Sequence, residues 1–497
     1  MKNNLKNILY TSVGQIVVLG LALIVPRFIL SGYGSDTNGL LSTVGQIVAY
    51  LSLLEAGIGQ AARNELYHHV QGNVIDKNVV SSVMTVSRSA YRKMTKIYVL
   101  LVIVLALLLP WVIKTELNYI VVFLVILIEG MSGVFSFYFI QNHTNLLMAD
   151  GRQYVNSNID MFFKGAYYLI KIFVVLTGMN IIVMELGFLF VTFIKYLIYE
   201  KYMRKNYGWL DYKSCSDVGV LKDRSPYMIT EVAWIVFSST DMIVISIFCS
   251  TKSASVYSIY YMVFLTINKL ADALFSSLKF NLGQSYHINS EEYKTTHDLF
   301  NSAFIGLISS LLVVAFYLCV PFVALYTKGI TDTDYVDNSL PMGFCLIFLL
   351  SWCRMVSEHL IGIAGFARKL TKVSVIEVVI NITLSVVLVN FFGIKGVIYA
   401  TVIVLPLKVI YCNLLADKMI LKRSSLNTVK ILAGNLLLFL ILAAINLVID
   451  LKIDSFGLFC VYGIMFAVCS VAIFFIANIL FNKGVLSACK RIKTGVK

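Results

Sequence analysis

Long apolar runs separated by short polar turns repeat along almost the whole chain. A helix that crosses a bilayer needs about 20 mainly apolar residues. Runs of that kind are centred at Ile8–Leu30, Leu40–Ala62, Ile97–Ile113, Tyr119–Ile140, Met161–Gly178, Ile181–Tyr199, Met228–Ser250, Ser255–Leu278, Ala303–Tyr326, Met342–Gly365, Val373–Phe392, Val397–Ala416, Val429–Ile449 and Phe456–Phe481. The pattern predicts an all-α integral membrane fold of about fourteen transmembrane helices. The connecting stretches are short, and Thr327 to Ser339, about a dozen residues, is the longest on its side. No soluble domain is expected between the spans.

Composition agrees with the pattern. The chain has 497 residues, 59% of them hydrophobic, a mean hydropathy of +0.82 and only 14% charged residues, against about 25% in soluble domains. A soluble chain of this length has no core large enough to hide so much apolar surface. The nine cysteines form no CxxC pair and no Cys/His spacing suited to zinc, so neither a disulfide framework nor a metal site is indicated. The opening MKNNLKN resembles a signal-peptide n-region, but the apolar run behind it is too long and lacks a cleavage motif, so it reads as a retained first span.

Charge sets the expected orientation. Lys and Arg gather in alternate loops: 63–96, 201–224, around Arg368, Lys369 and Lys372, around Lys418, Lys422, Arg423 and Lys430, and in the tail 483–497. The other loops, 31–38, 115–118 and 327–339, are neutral or acidic. The positive-inside rule then places both termini in the cytoplasm and demands an even number of spans. The net charge of +14 is therefore chiefly a topology signal. It is spread over many loops and not gathered on one face, so a nucleic-acid partner is not expected.

A pattern of apolar run, tight turn and a helix opening with small and aromatic residues occurs at Phe28–Leu54 and again at Ile247–Leu270. It divides the first twelve spans into two halves of six, the geometry of a transporter built from repeats. The expected organisation is an N-terminal lobe at 1–210, a C-terminal lobe at 211–420, and two additional helices with a basic tail at 421–497.

Charges within the spans are the candidates for function, since each costs on the order of 3 kcal/mol at mid-bilayer and must face the bundle interior or water. They are Arg27, Glu55, Glu129, Lys164, Lys171, Glu185, Lys195, Glu231, Asp241, Lys269, Asp272, Arg354, Glu358, Glu377 and Lys408. Lys164 and Lys171 lie two turns apart on one face, with Tyr167 and Tyr168 between them. Arg354 and Glu358 have i,i+4 spacing, and Lys269 and Asp272 have i,i+3, so each pair could bridge internally. A static bridge that merely lets a helix insert explains such pairs as well as a functional site does. Arg27, Lys195 and Lys408, near span ends, could equally snorkel. A cavity gathering Arg27, Lys164, Lys171, Lys269 and Arg354 would suit an anionic substrate. The acids Asp36, Glu55, Glu231, Asp241 and Glu358 are the candidates for gating or coupling.

Three stretches carry a family resemblance. "YGSDTNGLLSTVGQIVAYLSLLEAGIGQAARNELY", Tyr33 to Tyr67, resembles the second-helix region of the Wzx-type polysaccharide flippases, in the multidrug/oligosaccharidyl-lipid/polysaccharide exporter superfamily. "STDMIVISIFCSTKSASVYSIYYMV", Ser239 to Val263, is similar to that family's seventh helix and the turn into the eighth. "FFGIKGVIYATVI", Phe391 to Ile403, is similar to the Gly-rich entry to its twelfth. Arg27 and Asp36 also match in type and spacing the Arg and Asp of the peptidoglycan-precursor flippases of the same superfamily. The lumen arginine of their eighth helix has no counterpart here, Lys269 being the nearest basic residue.

The resemblance implies a flippase, not an enzyme. Its substrate would be an undecaprenyl-diphosphate-linked oligosaccharide, moved by alternating access from the cytoplasmic to the outer leaflet of the bacterial cytoplasmic membrane for cell-surface polysaccharide assembly. A polysaccharide polymerase and a chain-length regulator are the implied protein partners, with membrane lipid around the whole. No cofactor is expected, and proton or sodium coupling is the implied energy source. Two rivals are an ion-coupled small-molecule exporter of the same superfamily, usually of twelve helices, and a membrane glycosyltransferase or polymerase, which needs a large loop with paired acids. The chain shows no nucleophile–base arrangement and no phosphate-binding GxxxxGK[ST] motif.

Overall fold

A computed structural model describes residues 2–55, 58–71, 74–212, 225–446, 453 and 455–482. The tail 483–497 and the basic segment 213–224 lie outside the described residues. The chain divides into two compact units, Met1–Ser255 and Val256–Lys497.

The first unit comprises α1 (Lys2–Leu51), a tight turn at Ser52–Glu55, α2 (Ile58–His69), a two-residue ribbon β1 (Val70–Gln71) and β2 (Val74–Ile75), α3 (Lys77–Val112), α4 (Tyr119–Phe135), a π-helical turn at Ser136–Ile140, α5 (Gln141–Ala149), α6 (Gln153–Leu176), α7 (Ile181–Asn206) and α8 (Ser225–Phe248). The ribbon is antiparallel, with Val70 opposite Ile75. α1 contains the first predicted span and the first half of the second. It breaks at Gly34, whose φ of 83° suits a residue without a side chain. The second predicted span does not continue as one helix to Ala62. Ser52 bonds back to the Ala49 carbonyl at 2.6 Å, and the chain tightens there before restarting as α2. Polar caps mark several helix starts: Asp76 accepts from the Val79 amide, Asn118 from Ile120 and Asn180 from Ile182. The core packs Val25, Ile29, Leu40 and Val44 of α1 against Val122, Val125 and Ile126 of α4, Val174 of α6 and Met184 of α7.

The second unit comprises α9 (Thr251–Ile288), whose first turn belongs to the first unit, then α10 (Ser290–Tyr326), α11 (Leu340–Trp352), α12 (Met355–Ile363), α13 (Ala367–Phe392), α14 (Ile394–Leu415), a π-helical turn at Ala416–Ile420, α15 (Leu426–Asn446) and α16 (Phe456–Phe481). α10 packs on α11, α15 and α16, and α13 pairs with α14. The α13–α14 hairpin turns at Gly393 and is so close that a Cβ on Gly396 would stand 2.1 Å from the Leu388 carbonyl oxygen. The Gly-rich segment therefore sets the distance between these two helices.

Among the described residues ten segments are long and apolar enough to cross a membrane. The second leg of α1, together with α6, α8 and α9, brings the helices to the predicted fourteen. α6 carries Asp160, Lys164 and Lys171, and the first half of α9 is rich in Ser and Tyr, which holds their hydropathy down. Exposed apolar side chains such as Val461, Ile464, Val468 and Ile476 cover α16, as expected of a lipid-facing helix. The chain is an all-α, multi-pass membrane protein.

Candidate functional site

Each unit holds its own buried charge network. In the first, α6 has a sharply two-sided surface. Phe162, Leu169, Phe173 and Leu176 are 59–69% exposed and share one stripe, while Lys164 and Lys171 sit on the opposite face. Lys164 is exposed there. Lys171 is partly buried, with Nζ 3.8 Å from Glu185 Oε1 of α7 and 4.4 Å from the centre of the Tyr167 ring. Glu185 is completely buried, and neither of its carboxylate oxygens accepts a hydrogen bond among the described residues. Glu129 of α4 is the next member, interacting electrostatically with both Glu185 and Lys171. Beyond it, Tyr98 of α3 donates to the Gly130 carbonyl at 3.1 Å and feels both Glu129 and Glu55.

Arg27 belongs to the same region. α1 and α6 pack side by side, with Gly14 against Met161 and Gly32 against Val175, and that register sets Arg27 level with Lys171. Glu55 occupies the turn after α1, and Gly57 lies outside the described residues.

A seam of polar contacts joins the second leg of α1 to α8 and the first turn of α9. Asp36 is 8% exposed and accepts hydrogen bonds from Thr115 Oγ1 at 2.7 Å, from the Glu116 amide at 2.8 Å and from Thr251 Oγ1. Asn38 donates to Ser255 Oγ at 2.8 Å, Thr43 meets Ser246, and Tyr50 meets Thr240 and the Val236 carbonyl. Asp241, buried beside Thr240, acts electrostatically on Tyr50. Close approach makes the seam feasible, since a Cβ on Gly39 would stand 1.7 Å from the Thr251 carbonyl oxygen.

In the second unit Arg354, Glu358, Glu377 and Lys408 close into a ring. Arg354 Nη1 donates to Glu377 Oε1 at 2.7 Å and its Nε lies 3.3 Å from Glu358 Oε2. Lys408 Nζ lies 3.2 Å from Glu358 Oε1 and 3.6 Å from Glu377 Oε2. Two cations thus face two acids, and only Glu358 retains appreciable exposure, at 23%. Nearby, Arg423 bridges Asp298 at 2.6 Å and Asp417 at 2.8 Å, and a polar chain runs from it through His297 and Ser357 to Asn413.

Of the residues singled out from sequence, the structure brings Lys171 and Arg27 to one level of the first unit and joins Arg354 to Glu358. Lys269 and Asp272 are both exposed on α9. The side chain of Glu231 lies outside the described residues. Glu129, Glu185, Glu377 and Lys408 stand among the charges within the spans but draw no site role from the sequence, because none has a partner at helical spacing on its own span and only the packing of helices pairs them.

No model of a known protein family matches the chain, and no curated protein matches it. Solved structures do match. The lipid II flippase MurJ in an inward closed conformation superposes with a TM-score of 0.67 at 16% identity, over 94% of this chain and 99% of that one. An inward-facing multidrug resistance MATE family transporter of the MOP superfamily gives a TM-score of 0.65 at 12% identity, over 80% of this chain and 94% of that one. An outward-facing conformation of a MATE family transporter gives 0.59 at 13% identity. The chain has the fold shared by these transporters.

Proposed function

We propose that the chain is a flippase that moves an undecaprenyl-diphosphate-linked oligosaccharide from the cytoplasmic to the outer leaflet of a bacterial cytoplasmic membrane by alternating access. The observation that carries this reading is the two-sided α6, which exposes Lys164 on the face opposite its lipid stripe. A sugar diphosphate cannot cross hydrocarbon unaided, whereas its prenyl tail can stay in lipid. The protein then has only to supply a hydrated path with fixed positive charge, and no covalent step.

Helix number supports a flippase over a drug exporter. α15 and α16 extend the chain beyond twelve helices. The flippase fold accounts for 94% of the chain and the first MATE fold for 80%. Arg354 has a different part in this reading from the one its sequence suggests. Sealed between two acids, it holds α12 against α13 and leaves diphosphate recognition to Lys164 and Arg27. Both termini are cytoplasmic in the proposed orientation, and a polymerase and chain-length regulator would receive the product.

The test is reconstitution of the purified chain in vesicles carrying undecaprenyl-diphosphate-linked oligosaccharide, with the fraction accessible to an added glycosidase measured over time. Transfer that requires the protein is expected. Failure to transfer this lipid, combined with export of small cationic dyes, would overturn the reading in favour of the exporter.

A further inference from the structure

α3 begins well before the apolar stretch that crosses the membrane. From Lys77 to Val112 it contains no acidic residue, and Arg88, Arg92, Lys93 and Lys96 gather just ahead of its apolar part. Arg88 is half-buried, with its guanidinium 4.4 Å from the centre of the Tyr212 ring, on which Glu200 also acts. The other three are exposed and make no ion pair among the described residues. Arg92 lies over the Tyr138 ring at 5.3 Å, a stacking contact that orients the guanidinium without using its N–H groups. The helical period then sets these cations in line with lipid. Lys93, Ile97, Leu100, Val104, Leu107 and Trp111 follow at spacings of three and four, form one stripe along α3 and are all exposed. Lys96 and Arg92 lie successively further to one side of it. Lys93 and Trp111 are five turns apart, about 27 Å, which is close to the ~30 Å of the hydrocarbon layer. Trp111 has the place of an interfacial aromatic anchor at one surface. That spacing sets Lys93 at headgroup level on the other.

We infer that Arg92, Lys93 and Lys96 form a binding surface for anionic phospholipid, whose phosphodiester headgroups they take in the leaflet at the N-terminal side of α3. In the proposed orientation that leaflet is the cytoplasmic one. A ligand with an anionic head and an apolar tail meets Lys93 and Leu100 together, because both lie on one stripe. A soluble anion gains only the exposed charges, which salt screens. A zwitterionic lipid brings its own cation toward the lysines and loses the advantage. Positive charge anywhere in this loop would serve to orient the helix. Alignment with the lipid stripe, and a helix free of acids, go beyond what orientation needs and favour a lipid of net negative charge. The long lysine side chains reach along the helix to the phosphates while their stems stay against acyl chains. The surface needs only that α3 crosses the membrane, so its failure would leave the proposed function standing.

The test places a fluorophore on the stripe and needs no transported substrate. The full-length protein in a cysteine-free background carries bimane at Leu100→Cys, and is reconstituted in phosphatidylcholine vesicles. These contain a rising fraction of phosphatidylglycerol or of phosphatidylcholine with brominated acyl chains, which quench on contact. Ile464→Cys, on the exposed face of α16, is the reference. At Leu100→Cys, half-quenching is expected at an about fivefold lower fraction of brominated phosphatidylglycerol than of brominated phosphatidylcholine, the effect of one cation at about 1 kcal/mol. The preference should exceed that at Ile464→Cys and fall as salt is raised from about 0.05 M to about 0.5 M. Lys93→Gln combined with Lys96→Gln should remove most of it, and Lys93→Arg combined with Lys96→Arg should keep it. If the paired glutamine variant is not monodisperse, the single variants decide, each losing part of the preference. Equal quenching by the two lipids, a preference no greater than at Ile464→Cys, or one unchanged in the folded glutamine variants overturns the inference.

Discussion

Arg354 donates to Glu377 at 2.7 Å from the start of α12 to the middle of α13, with both side chains 2–3% exposed. Two full charges are held where water does not reach them, and the second pair, Lys408 with Glu358, closes the ring. The cost of desolvation is offset only while all four are present.

Removing one member is therefore expected to be far worse than removing a pair. Arg354→Met should lower the stability of the protein by about 3–5 kcal/mol, because two carboxylates then depend on Lys408 alone. Arg354→Met combined with Glu377→Leu should recover much of that loss. Thermal unfolding in detergent checks the order, and a double variant less stable than the single one would contradict it.

A neutral lock fixes the two last helices. Asn435 of α15 and Asn478 of α16 donate to each other's carbonyl oxygen at 2.9 and 2.8 Å, directly over Gly306 of α10, where an added Cβ would stand 2.5 Å from Asn478 Nδ2. Asn435→Leu should cost about 1–2 kcal/mol, the scale of a buried interhelical hydrogen bond in a membrane protein. Gly306→Val should cost more, since it separates three helices. Equal melting temperatures for Gly306→Val and wild type would refute the lock.

The fold was largely legible in the sequence because lipid imposes a simple rule. Every span must be apolar for about 20 residues, and the turns between them stand out. The break after Leu51 was less legible, because Ser52, Leu53 and Leu54 are apolar enough to continue a span and only a local hydroxyl bond turns the chain. The charge networks were partly legible. Arg354 and Glu358 reveal themselves by i,i+4 spacing on one segment, whereas Glu185 and Lys171 are fourteen residues apart on consecutive helices that run in opposite directions. No period in one dimension encodes that contact. Their partner Glu129 lies on α4, still further away in sequence.

Asp36 is expected to act as a clamp. It accepts three hydrogen bonds that tie α1 to the loop before α4 and to the first turn of α9. Asp36→Ala leaves the Glu116 amide and the Thr115 hydroxyl without their acceptor and should destabilise by about 1–3 kcal/mol. Asp36→Asn, which keeps an acceptor oxygen, should lose less. The comparison is made by thermal unfolding of both variants, and an Asn variant as damaged as the Ala variant would argue against a hydrogen-bonding role.

Orientation is open to direct measurement. The acidic turn containing Asp332, Asp334 and Asp337 should lie outside the cell, and the basic turn containing Arg368 and Lys369 inside. Cysteines placed at Asp334 and at Lys369 in a cysteine-free background should react oppositely with an impermeant maleimide added to intact cells. Labelling of Lys369→Cys from outside would invert the topology.

The two lysines of α6 should separate. Lys164 is exposed on the face opposite the lipid stripe and makes no ion pair among the described residues, so its charge is available to a passing diphosphate. Lys171 is partly buried against Glu185 and contributes to the packing of α6 on α7 as well as to charge. Lys164→Ala is expected to slow lipid transfer about tenfold, equivalent to roughly 1.4 kcal/mol, while leaving the melting temperature unchanged, and Lys164→Arg should restore most of the rate. Lys171→Ala is expected to lower both, because it leaves Glu185 buried with its cationic contact removed. Both variants are compared in the same vesicles at matched protein density. An unchanged transfer rate in Lys164→Ala would remove the cationic face from the mechanism. A stable Lys171→Ala protein with wild-type transfer would mean that Glu185 does not depend on its lysine.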